Sequence, residues 1–165
     1  MKKLLLLLLL MPCLAIASMT VPDAIKVPQG QVAYLTVATK GQQIYQCSFN
    51  QGQYTWQIQA PDAQLFDSQG QIVGKHFKGP IWEYKEGSQV QGKILSRADM
   101  APTAISWMLV QIISHKGDSI FTKASYINRI NTQGGLPPTL GCDGNHLGSE
   151  KRVNYTADYV FYQPK

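Results

Sequence analysis

Apolar and polar residues alternate with the period of a β-strand along most of this chain, and turn chemistry interrupts the alternation at short intervals. "QVAYLTVAT" (31–39) follows the turn "PQG" and mixes β-branched with aromatic residues. In "QQIYQCSF" (42–49), Ile44, Gln46 and Ser48 face one way and Tyr45, Cys47 and Phe49 the other. "NQGQ" (50–53) then reads as a hairpin turn. The strand after it alternates through Tyr54, Trp56 and Ile58, and Pro61 is expected to stop it.

The same grammar continues. "DSQGQ" turns the chain into an extended "QIVGKHF", and "GPIWEYKEGSQVQGKIL" gives strand, turn and strand. The apolar run Ile105–Ile113 is long enough for a helix, but Trp107, Val110, Ile112 and Ile113 favour a buried strand. After the turn "HKGDS", Phe121, Lys123, Ser125 and Ile127 alternate with Ile120, Thr122, Ala124 and Tyr126. "QGGLPPTLGCDGNHLGSEKR" is a long irregular loop. "VNYTADYVFYQ" closes the chain with Val153, Tyr155, Ala157, Tyr159 and Phe161 on one face. At most one helical turn is expected, in "SRADMAPTAIS". Roughly eight to ten short strands at 8–12-residue spacing predict an all-β antiparallel domain, a sandwich or a squat barrel.

The first residues change what counts as the domain. "MKKLLLLLLLMPCLAIAS" carries Lys2 and Lys3, an apolar stretch and the small residues Ala15 and Ala17, the layout of a signal peptide over 1–17. The apolar stretch is too short to span a bilayer as about 20 residues would. Pro12 stands where a lipoprotein signal would place a small residue ahead of Cys13. A single domain over 18–165 remains, secreted or periplasmic, with no membrane span once the signal is cleaved. Without Lys2 and Lys3, the 15 Lys+Arg become 13 against 10 Asp+Glu. That charge is thinly spread, with no basic run of the kind a nucleic-acid-binding face uses. Cys47 and Cys142 are left, and in an exported chain they most economically form one disulfide. Their wide separation fits no zinc signature. Closing so long a loop stabilises by about 4–5 kcal/mol in the chain-entropy picture.

Several phrases occur together and in order: "VPDAIKVPQGQ", "GQQIYQC", "VGKHFKGPIWEYKEGSQVQGK", "ISWMLVQ", "YINRINTQGGLPP", "GCD" and "YTADYVFY". With them the chain resembles, from Val21 to Tyr162, the family called domain of unknown function 3455. The resemblance implies an exported single domain and supplies no reaction. A malate dehydrogenase label borne by some fungal relatives finds no support in these residues. The Gly-x-Gly-x-x-Gly turn that brings backbone to a dinucleotide pyrophosphate is missing from the sequence. No cofactor is expected.

Two stretches hold the candidate chemistry. In "GKHFKGPIWEYKEGS", His76 is a candidate general base with Glu83 as its acid, and Trp82 a stacking surface for a ligand. The competing reading is a sheet corner in which Gly79-Pro80 breaks the edge, Trp82 is core and His76 bonds a buried carbonyl. Residues 76 and 83 on one strand would face opposite ways unless Gly79-Pro80 bends the chain. In "NTQGGLPPTLGCDGNH", Asn131, Asp143 and His146 are candidate binding groups, with Asp143 a second candidate catalytic acid. No His-x-His or His-x-x-x-His pair supports a metal site, and no serine lies in a Gly-x-Ser-x-Gly elbow. These residues point to a non-enzymatic module for a small molecule, glycan or peptide, bound where the His76–Trp82 segment meets the Asn131–His146 loop. A small secreted hydrolase and a purely structural envelope protein are the alternatives.

Overall fold

The computed structural model describes residues 20–165, so the signal peptide expected over 1–17 lies outside the described residues. Eight strands follow one another: β1 (Gln31–Asn50), β2 (Gln53–Phe66), β3 (Ile72–Phe77), β4 (Ile81–Tyr84), β5 (Gln89–Ala98), β6 (Trp107–Lys116), β7 (Tyr126–Gly134) and β8 (Glu150–Pro164). Each pairs antiparallel with the next, and β8 returns to β1, so the sheet closes on itself as a barrel. Of the two all-β architectures expected, this is the barrel. Closure leaves no free sheet edge around the ring, which an open sheet would have to protect.

The strands are longer and fewer than the turn signals suggest. The two segments on either side of Gly41 are one continuous strand, β1. There Gly41 pairs with Ala63, and a Cβ at 41 would collide with Asp62 O and Ala63. Pro61 does not stop β2, which runs through it to Phe66. At Pro61 the strand is paired on the β1 side, while β3 joins the ladder from Ala63 onward. A residue without an N–H is tolerated beside that open stretch. Gln51 and Gly52 both have positive φ, the conformation a two-residue hairpin needs. Two further expectations give way. Phe121–Lys123 is a 3-10 turn rather than the start of a strand, and the segment Met100–Ser106 forms turns without a helix.

Alternation divides the barrel into an inner and an outer face. Tyr155, Ala157, Tyr159 and Phe161 of β8 all point inward, as their spacing predicts, and are buried. One end of the interior is apolar and plugged. Phe121, carried in by its 3-10 turn, stacks on Phe161 at 4.7 Å and meets Tyr84 edge-on at 5.0 Å. Gly92 makes room for Trp82, since a Cβ there would strike Val110 Cγ1 and approach the indole to 3.0 Å. On the outer face the turn Asp23–Ile25 lays Ile25 over Trp107 and Leu109, and Asn128 Nδ2 donates to Ile25 O at 2.9 Å. Nothing in the local pattern of "VPDAI" announces that role.

Candidate functional site

At the end opposite Phe121 the interior is not filled. The turns Gln51-Gly52 and Lys78–Pro80 and the loops 99–106 and 135–149 surround this end. Between them a cavity of about 610 Å³ opens to solvent, within the range typical of small-molecule sites. Ile94, Ile105, Met108 and Leu136 form apolar wall, with Gly79-Pro80 and Pro137 at the rim. Tyr45, Gln43, His76, Arg97, Asp99 and Arg129 supply its polar groups. The 135–149 loop is held over the mouth by several ties, among them backbone bonds of Cys47 with Gly148 and Ser149. Cys142 is disulfide-bonded to Cys47 of β1, as the cysteine content predicts. Trp56 Nε1 donates to Leu140 O at 3.0 Å, and the Tyr45 hydroxyl donates to Gly135 O.

His76 sits on the inner face and is 2% exposed. Its ring stacks on Trp82 at 4.3 Å, and Tyr159 stands edge-on to both. Nδ1 lies 2.9 Å from Ile81 O; a carbonyl can only accept, so Nδ1 carries the proton and Nε2 is left as an acceptor. Burial drives the imidazole pKa down to about 3; the bond to Ile81 opposes that shift and the Arg129 charge adds to it. His76 is therefore neutral at physiological pH and bonded as the sheet-corner reading anticipates.

The other sequence candidates fall elsewhere. Trp82 is 0% exposed, so its indole packs the core and offers no face to a ligand. Glu83 lies beside His76's neighbour Lys75 on the outer face, 2.9 Å from Lys75 Nζ. The strand parity thus holds across Gly79-Pro80, and His76 and Glu83 do not converge. Bonds from Lys75 and then Gln89 hold the Glu83 carboxyl below the usual carboxylate range. Asn131, at φ 53°, turns its Nδ2 outward to Asp158 Oδ2 at 2.7 Å. Asp143 Oδ1 accepts from Asn145 N and lies 2.8 Å from His146 Nδ1, so that exposed pair braces its own loop. The cavity forms between the two segments named from sequence, yet of the candidate side chains only His76 lines it.

What the sequence reading missed is Arg129. It is inward on β7, between Met108 of β6 and Tyr159 of β8 in the ladder, and only 6% exposed. Its Nε and Nη2 both donate to Ser106 O, at 3.1 and 2.7 Å. Its charge is felt by Tyr45, His76, Arg97, Tyr155 and Tyr159, which places it at the centre of the interior polar groups. A signal was present: in "YINRINT" the alternation puts Arg129 on the same face as Ile127, a cation on a core-facing position.

Fold and site together define an antiparallel eight-stranded barrel, plugged at one end and hollow at the other. The chain matches the family described as "Protein of unknown function (DUF3455)" over residues 28–163, and it belongs to that family. No curated protein and no solved structure gives a significant match.

Proposed function

We propose that this is an exported, non-enzymatic binding barrel that holds a small molecule in its open mouth. The observation that carries the reading is the cavity itself. A closed barrel of eight strands has just enough interior for its side chains to fill or for one small ligand, and here the half beyond His76 stays open. Its size favours a small molecule over a folded partner, and its mixture of apolar wall with a few polar groups is what ligand sites use. The Cys47–Cys142 bond supports export, because such bonds persist in oxidising compartments.

Fluorescence titration with N-phenyl-1-naphthylamine, a neutral apolar dye, tests it. The mature protein is expected to bind one dye saturably. Ile94→Trp, which puts bulk into the cavity from a half-buried wall position, should weaken binding by about tenfold, the equivalent of 1.4 kcal/mol. Dye binding that never saturates, or that Ile94→Trp leaves untouched in a folded variant, rules the reading out.

A further inference from the structure

Within that binding reading, the ligand's charge can be taken a step further. We infer that the cavity takes a singly charged anionic amphiphile (a carboxylate or sulfonate head on an apolar body) with its head group seated on Arg129.

Arg129 is a buried cation without a counter-ion. The ion pairs among the described residues are Lys26–Asp23, Lys75–Glu83, His146–Asp143 and those of Arg152 with Asp62 and Glu150. None involves Arg129 or Arg97. Burying a charge unpaired is costly, and a guanidinium has more N–H groups than the two that reach Ser106 O. The surroundings do not complete the set. The Tyr159 hydroxyl lies near both the guanidinium and the Tyr155 hydroxyl, but neither hydroxyl makes a well-aligned hydrogen bond, and a neutral phenol does not balance a charge. His76 is neutral and Tyr45 is committed to Gly135 O. A ligand oxygen at this spot would supply the missing acceptor, in the planar two-pronged geometry that arginine prefers.

The charge count sets the ligand's valence. Arg97 is on the inner face at the rim, in register with Met108, which is itself opposite Arg129. Partial burial and then the like charge of Arg129 lower the Arg97 pKa, against a smaller upward pull from Asp99. Asp99 accepts from Ser106 Oγ beside the same mouth. With Arg97 and Arg129 positive, Asp99 negative and His76 neutral, one net positive charge faces the cavity. One anion neutralises it. Arg97 guides the head group inward, Arg129 seats it, and Met108, Ile94, Ile105 and Leu136 meet the apolar body.

The test compares two probes with one ring system. 1-Anilinonaphthalene-8-sulfonate carries a sulfonate, and N-phenyl-1-naphthylamine lacks it. The native protein is expected to bind the sulfonate at least tenfold more tightly than the neutral dye, the size of effect a charge-assisted bond gives. The preference should shrink as salt rises. Arg129→Met should bring the ratio of affinities close to one, whereas Arg129→Lys, which restores the charge, should recover part of it. Asp99→Asn, at the exposed rim, should increase the ratio about two- to threefold, as a screened charge does. Equal affinities in the native protein, or a preference that survives Arg129→Met, overturns the anion site while the binding barrel stands. If neither dye binds the native protein saturably, the barrel reading falls and the anion site with it.

Discussion

Lowering the pH from 7 to 5 should destabilise this protein through His76. In the folded chain its pKa is about 3, because burial disfavours the charged ring and Arg129 adds to that, against the Ile81 bond. In the unfolded chain it returns to about 6.5. Above the unfolded value both states hold a neutral ring, and His76's contribution to stability is fully present. Below it the unfolded chain takes up a proton that the folded chain refuses, so stability falls with pH until the folded value is reached. The slope approaches 1.4 kcal/mol per pH unit. Between pH 7 and 5 the loss amounts to about 2 kcal/mol, which for a domain of this size lowers Tm by about 4–8 °C. The window lies above the ordinary carboxylate range of about 3.9–4.3. In that range the stability held by the depressed carboxyls of Asp23, Glu83 and Asp143 is lost as the unfolded chain takes up their protons. Urea unfolding at pH 7, 6 and 5 measures it. His76→Gln keeps a donor for Ile81 O but cannot titrate, so subtracting its pH profile isolates the imidazole. Parallel profiles for the two proteins would refute the reasoning, since they would mean that His76 protonates without cost in the folded barrel.

Trp82→Ala should cost about 3–5 kcal/mol in chemical unfolding, because it empties a fully buried aromatic site rather than a binding surface. Gly92→Ala should cost about 1–3 kcal/mol by overpacking against Val110, and pairing it with Val110→Ala should restore part of that in a double-mutant cycle. Replacing Cys47 and Cys142 together by serine should lower stability by about 2–5 kcal/mol and weaken binding of the neutral dye, because the loop over the mouth loses its covalent tie. Arg129→Met should raise the stability of the ligand-free protein by about 1–3 kcal/mol, the behaviour of a buried charge replaced by an apolar side chain. Thermal unfolding checks it, and a large loss of stability would show that the guanidinium is already satisfied.

Much of the barrel was legible in single strands. The face Tyr155–Ala157–Tyr159–Phe161 could be read residue by residue, because a half-buried strand alternates with period two and nothing in β8 disturbs that. The hairpin at Gln51-Gly52 was legible for a similar reason, since its turn needs two positive φ values and glycine supplies one. Where the reading went astray, distant partners decided the outcome. Gly41 and Pro61 look like breaks, but Gly41 fits against Ala63 and Pro61 sits beside a stretch that β3 does not pair. Closure itself rests on β1 pairing with β8, more than a hundred residues away in every pair, and no local pattern encodes it.

The site was less legible than the fold, for one physical reason. Polar residues that look like a site turn to structural partners: Asp143 with His146 braces its own loop, and Asn131 Nδ2 bonds Asp158 across the sheet. Arg129 stands in an unremarkable strand, and only the ring of neighbours contributed by β6 and β8 makes it a buried charge. His76 could be placed inside or outside by parity alone, and the stacked Trp82 explains why it went inside.

The most direct test of the central claim is where a bound molecule lands. A carbon–proton methyl spectrum recorded during titration with N-phenyl-1-naphthylamine answers this. Saturable shifts of Ile94, Ile105, Met108 and Leu136 methyls, with the exposed Ile113, Leu140 and Leu147 unmoved, are the predicted result. Shifts confined to those three exposed side chains would contradict it, and the open mouth of the barrel would then hold nothing.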